Sequence, residues 1–222
     1  MKTSLKSAVA LMFALPSLAL ASTWEVDSAH SAAGFSVRHM MVSNVKGSFG
    51  DVKGAVNLDD KDVTKSTVEA TIDVTSINTG NAKRDEHLKA PDFFDVAKYP
   101  TITFKSTKVA KAGQGKLKVT GDLTMHGVTK AVVLDVVGPS KEAKDPWGNT
   151  RTGVAATTKL NRKDFGLAYN QALETGGVAV GEEVTVNLEL ELVKKAAADA
   201  AAAKPAPAPA PATEKATATD KK

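Results

Sequence analysis

The chain has 222 residues, no cysteine and a formal net charge of +4 at pH 7. Without cysteine it has no disulfides, so its stability rests on packing and backbone hydrogen bonds. Two lysines fall in residues 1–21, and residues 196–222 carry four lysines against three acids, which leaves +1 for residues 22–195. The basic isoelectric point is therefore not a nucleic-acid signature.

Residues 1–21, MKTSLKSAVALMFALPSLALA, place Lys2 and Lys6 before an apolar run that ends in Ala19-Leu20-Ala21. This is the pattern of a secretory signal peptide cut after Ala21, and the run is too short to span a membrane. The expected destination is the periplasm. Residues 22–195 suit one domain. Their main signal is period-2 alternation of apolar and polar residues. Between Asn44 and Leu58 the parity slips: Val45, Gly47 and Phe49 are odd, whereas Val52, Gly54, Val56 and Leu58 are even. One extra residue near Gly50, as in a β-bulge, does this in a strand that bends round a barrel corner; two strands with a turn at FGDVKG do it as well. In STVEATIDVT, Val68, Ala70, Ile72 and Val74 share one face.

Ala82 to Leu88 is the single persuasive helix, capped by Asn81 and stopped by Pro91. GKLKVTGDLTM, VTKAVVLDVV and GVAATTKLNR follow as strands, and VTVNLELEL puts Val184, Val186, Leu188, Leu190 and Leu192 on one face. DPWGN reads as a turn with Trp147 folding over a barrel end, and LETGGVAVG as a glycine loop. From Ala196 the Pro-Ala repeat favours extended polyproline II and lacks large apolar groups, so 196–222 is expected to be a disordered tail, a spacer or a segment without a role.

About eight one-sided antiparallel strands must close or stack. Small aliphatic inner positions and few aromatics favour a hollow closed barrel over a filled sandwich. The helix sits between two strand ends, where it would act as a lid with Leu88, Phe93 and Phe94 pointing into the lumen. A filled barrel plugged by the same residues is the other reading of that segment. No His-x-His or HExxH spacing exists among His30, His39, His87 and His126, and Asp85 and Glu86 point about 100° apart on a helix, so neither a metal site nor a carboxylate pair is expected.

Six stretches carry a family likeness: WEVDSAHSAAGFSVRHMMVSNVKGSFG, SINTGNAKRDEHLKAPDFFDVAKYPTITFKST, GDLTMHGVTKAVVLDV, DPWGNTRTG, NRKDFGL and VGEEVTVNLELEL. In these the chain resembles the YceI-like family of secreted polyisoprenoid-binding proteins, from Trp24 to Leu192. The resemblance implies a lipocalin-like antiparallel barrel holding a long isoprenoid, a polyprenyl chain or isoprenoid quinone, or a similar amphiphile. It brings no catalytic residues and no cofactor beyond the lipid itself. The expected lumen residues are Phe35, Val37, Phe49, Ile72, Val74, Phe93, Phe94, Phe104, Leu134, Val186 and Leu188. A quinone or phosphate head group would want donors at the mouth, for which Arg38, Arg84, His87, His126 and Lys130 are the candidates. For Arg84 the alternative is a salt bridge with a neighbouring acid that fixes the lid. A lipid is the expected partner and nucleic acid is not. Transient contact with the membrane or envelope, and a homodimer, are left open, as is an enzyme acting on such a lipid through Asp85, His87 and His126.

Overall fold

The computed structural model describes residues 21–174 and 176–196. The signal segment to residue 20 and the Pro-Ala tail from residue 197 lie outside the described residues. In chain order the strands are β1 (Ala21–Val26), β2 (Ala32–His39), β3 (Ser43–Phe49), β4 (Val52–Asp59), β5 (Thr67–Asp73) and β6 (Ile77–Asn78). Helix α1 (Ala82–Lys89) follows, then β7 (Thr101–Gly113), β8 (Lys116–Met125), β9 (Val128–Val137), β10 (Ala143–Lys144), β11 (Thr150–Asn161) and β12 (Val180–Lys194).

Three of the barrel's strands are broken into collinear halves. β12 pairs with β2 from Val180 to Glu189 and with β1 from Leu192 to Lys194, so β1 and β2 share one edge of β12. β3 pairs with β2 while β4 pairs with β1, and β6 pairs with β3 while β5 pairs with β4. With each pair of halves counted once, eight antiparallel strands follow one another around the ring, closed by the β11–β12 ladder. β10 adds a short flap to β11.

The breaks lie side by side and form a crease across the sheet. Ser28 Oγ donates to the Val52 carbonyl at 2.6 Å, the Asp73 amide to the Asp51 carbonyl at 3.1 Å, and the Asp51 amide to Ser76 Oγ at 3.3 Å. Asp27 and Asp73 each cap a single 3-10 turn here, Ser28–His30 and Val74–Ser76. The parity slip at Gly50 belongs to this crease: two separate strands, β3 and β4, meet there rather than one strand with a bulge, and the chain passes through Gly50 and Asp51 without reversing.

The β11–β12 ladder has eleven register pairs and the β8–β9 ladder ten, but β9 and β11 pair only over Ala155–Thr157. One end of the barrel is covered by α1 and the segment after it, together with the chain between β11 and β12. Asn81 caps α1, its side chain accepting from the Arg84 amide at 3.1 Å, and Ala90 takes the extended conformation that the following Pro91 favours. No helix among the described residues is long and apolar enough to cross a membrane.

Candidate ligand-binding lumen

Alternation along the strands sends one aliphatic row from each into the barrel. There they enclose a cavity of about 290 Å³, at the lower end of the usual range of small-molecule pockets. The wall runs the length of the barrel, from Leu58, Leu117 and Leu192 at one end to Leu88, Phe93, Phe94 and Leu167 under the lid. Phe35, Phe49 and Phe94 form a chain with ring centroids 5.7 Å apart at each step. Two glycines make space for rings: a Cβ on Gly47 would lie 2.5 Å from the Phe35 ring, and one on Gly121 would lie 2.4 Å from Phe104.

Ten of the eleven expected lumen residues line this cavity: Phe35, Val37, Phe49, Ile72, Phe93, Phe94, Phe104, Leu134, Val186 and Leu188. Val74 does not. Asp73 caps the 3-10 turn there and takes Val74 out of the strand's alternation into the packed core, where it is 1% exposed.

The expected head-group residues are not in the cavity wall. Arg38 is exposed and its Nη2 donates to the Met41 carbonyl at 2.9 Å across the β2–β3 turn. Arg84 holds the lid, but through Thr79 rather than through an acid: Nε donates to Thr79 Oγ1 at 2.7 Å and Nη2 to the Thr79 carbonyl at 2.9 Å. Thr79 in turn donates through its amide and hydroxyl to Asp85 Oδ1, at 2.9 and 2.5 Å. His87 pairs with Asp92 at 2.7 Å on the exposed side of the lid, and its ring stands edge-on to Phe93 and Tyr169. His126, with φ of 52°, joins the β8–β9 turn to the Phe165 carbonyl at 3.2 Å and meets the Tyr99 ring at 4.7 Å. Lys130 has the inward parity of β9 but is exposed, outside the wall. Trp147 also departs from expectation: it is 82% exposed and does not fold over a barrel end.

The cation that does line the cavity is Arg162. It follows β11 directly and opens the 3-10 turn Arg162–Phe165. Only 5% of it is exposed, and burial holds its pKa below the ordinary arginine value. Nε donates to the Gly181 carbonyl at 2.8 Å, Nη2 to that of Val180 at 3.2 Å, and Nη1 to that of Leu167. The sequence signal for it was parity: Thr152, Val154, Ala156, Thr158 and Leu160 line the cavity, and Arg162 continues the same even-numbered row. Ser66, Thr152 and Thr158 add hydroxyl-bearing side chains to the wall, and no carboxylate or imidazole belongs to it.

A second charged group lies outside the lumen. Arg151 donates to Asp27 Oδ2 at 2.6 Å, Asp145 Oδ2 at 2.7 Å and Glu191 Oε1 at 2.5 Å. Its guanidinium, first among the causes in each case, lowers the pKa of Asp27 and of Asp145 to about 2. Asp27, His30 and Glu191 bring ligand atoms within 4.8 Å of one another, but the guanidinium already bridges the two acids, so the cluster has its cation.

Comparison with known proteins matches residues 24–192 to the YceI-like domain. A UPF0312 protein of Vibrio parahaemolyticus is 42% identical over 172 residues, covering 75% of this chain and 89% of that protein. The YceI protein of Campylobacter jejuni is 35% identical with a TM-score of 0.61, over 71% of this chain and 90% of that one. A domain from Saccharophagus degradans, described as polyisoprenoid-binding, is 18% identical with a TM-score of 0.56, over 78% of this chain and 98% of that one, and shares the fold.

Proposed function

The chain belongs to the YceI-like family, and from that premise we propose that it is an exported carrier or reservoir that holds one long-chain isoprenoid, a polyprenyl chain or an isoprenoid quinone, in the barrel lumen. The observation that carries this reading is the cavity wall, whose exposed surface is apolar along the whole barrel. Burying a methylene contributes about 0.8 kcal/mol, and association costs an estimated 4–15 kcal/mol. Ten buried carbons, about 8 kcal/mol, leave little surplus, whereas twenty give about 16 kcal/mol. The name of the Saccharophagus degradans domain, which has the same fold, agrees with such a ligand.

A carrier is favoured over an enzyme because Asp85, His87 and His126 are engaged with Thr79, Asp92 and Phe165 outside the lumen, where they cannot reach a buried chain. The N-terminal signal pattern supports a periplasmic location, where a soluble carrier would shield an isoprenoid from water. The test is uptake of a fluorescent apolar probe by delipidated protein, with Ala156→Phe filling the lumen from the middle of β11. The parent is expected to take up one probe per chain and the filled variant, if folded by circular dichroism, to lose most of that uptake. Equal uptake by both would place the probe elsewhere and sink the proposal.

A further inference from the structure

The β2–β3 hairpin ends in Met40, Met41 and Val42, which are 42%, 50% and 76% exposed. Every residue from 38 to 44 is exposed, so the tip stands clear of the barrel. Met40 and Met41 have φ of 51° and 60°, in the left-handed region that suits glycine or asparagine and is costly for other residues. Single exposed apolar residues are ordinary, but three in a row on one projecting turn mark a contact surface. Methionine, unbranched and polarizable, adapts to irregular apolar surroundings.

The charge on this hairpin has one sign. From Ala32 to Gly50 it carries Arg38, His39 and Lys46 and no acid. Arg38 opposes Asn44 and Lys46 opposes Ser36, on the face away from the lumen, whereas Phe35 and Val37 face inward. Arg38 folds back over the turn to the Met41 carbonyl, which keeps its guanidinium at the neck of the tip. Among the described residues no carboxylate lies within ion-pair distance of Arg38 or Lys46. The β11–β12 chain that meets the tip carries Asp164 and Glu174 against Arg162 and Lys163. The acids that open β12, Glu182 and Glu183, are paired with Lys163 and Lys159. The tip is also tied to the cover of the lumen. The Met40 amide donates to the Ala179 carbonyl at 2.8 Å, and Met41 lies against Gly177, where an added Cβ would come within 3.0 Å of its Cγ.

We propose that the β2–β3 tip docks the protein on an anionic bilayer: Met40, Met41 and Val42 enter the hydrocarbon edge while Arg38 and Lys46 meet the phosphates. Apolar side chains at the tip with cations just behind them match the layering of a bilayer. A narrow projecting turn offers little of the broad buried area that a stable protein interface needs. Docking sets the covered end of the barrel against the membrane, and this clause alone rests on the lumen reading above.

The chain has no cysteine, so Val42→Cys accepts one environment-sensitive fluorophore, and Gln114→Cys, exposed in the β7–β8 turn at the far end of the barrel, is its control. The exported form is mixed with vesicles of roughly three parts phosphatidylethanolamine to one of phosphatidylglycerol, or of phosphatidylcholine alone. The label at 42 is expected to shift to the blue on the anionic vesicles and the label at 114 to stay unchanged. A basic residue near an anionic surface contributes roughly fivefold in partitioning, so Arg38→Gln with Lys46→Gln should weaken flotation with these vesicles about twentyfold. Met41→Ser with Val42→Ser should weaken it about tenfold. Both double variants should keep the Tm of the parent and its uptake of an apolar probe in solution, since none of these side chains lines the cavity. No vesicle binding, equal shifts at both labels, or equal flotation by all variants overturns the docking site. Probe uptake without vesicle binding leaves the lumen reading standing alone, and vesicle binding without uptake does the reverse.

Discussion

Phe93 and Phe94 are neighbours in the lid, and the structure gives them different surroundings. Phe93 is 8% exposed and has two aromatic partners, His87 at 4.9 Å and Tyr169 at 4.8 Å. Truncating a buried phenylalanine costs about 3–5 kcal/mol, and Phe93→Ala, which also loses two ring contacts, is expected near about 4 kcal/mol. Both rings line the cavity, but Phe94 is only partly buried and has one aromatic partner, Phe49 at 5.7 Å. A less buried ring forfeits fewer neighbours, so Phe94→Ala in delipidated protein is expected to cost about 2 kcal/mol, within the range for burying one large apolar side chain. In a domain of this size 1 kcal/mol shifts Tm by about 2–4 °C, which gives about 8–16 °C for Phe93→Ala and about 4–8 °C for Phe94→Ala. Thermal melts of delipidated and lipid-loaded protein, followed by near-ultraviolet circular dichroism, separate the two. Phe94→Ala should lose more of the lipid-dependent rise in Tm than Phe93→Ala does. Equal losses in delipidated protein would mean that the Phe94 ring is packed on all sides, and the lid would then be a plug.

Three further outcomes are expected. Asp27 and Asp145 have folded pKa values of about 2 against an ordinary 3.8, so their contribution to stability is complete above the ordinary value and is lost as pH falls toward about 2. Tm should therefore drop between about pH 4 and pH 2, and Arg151→Met should flatten that drop while lowering Tm at neutral pH; an unchanged acid profile would contradict the role given to Arg151. Gly121→Ala should displace both the Phe104 ring and the neighbouring strand, lowering Tm as well as affinity for apolar probes measured by displacement, because a Cβ there lies 2.4 Å from that ring and 2.5 Å from the Lys105 carbonyl oxygen. His87→Ala should leave bound lipid chemically unchanged by mass spectrometry, and accumulation of an intact lipid that the parent converts would restore the enzyme reading.

Much of the barrel was legible because period 2 is a direct readout of which side chains share a face. The row from Val184 to Leu192 needed no tertiary information. The crease was legible at one point only. The slip at Gly50 breaks the alternation, but Val74 keeps it, so the chain reads as strand through a residue that has already left it. The missed signal was Asp73, whose Oδ1 accepts from the Thr75 amide at 2.8 Å and turns the chain locally. Asp27 does the same for the Ala29 amide at 3.0 Å. The expected head-group residues fall outside the cavity wall for a different reason. Arg38, Arg84 and His87 have the right chemical type near the lid, yet the partners that fix them, Met41, Thr79 and Asp92, are all within five residues along the chain. Arg162 ends an alternating strand, where an arginine reads as solvated, although it continues the parity of the row that lines the cavity.

The most direct measurement is native mass spectrometry of the protein purified from its own host without detergent, followed by solvent extraction of whatever it carries. The account predicts one isoprenoid lipid per chain, released intact. Protein that carries no lipid, and that also fails to take up such an isoprenoid when it is supplied, would contradict it.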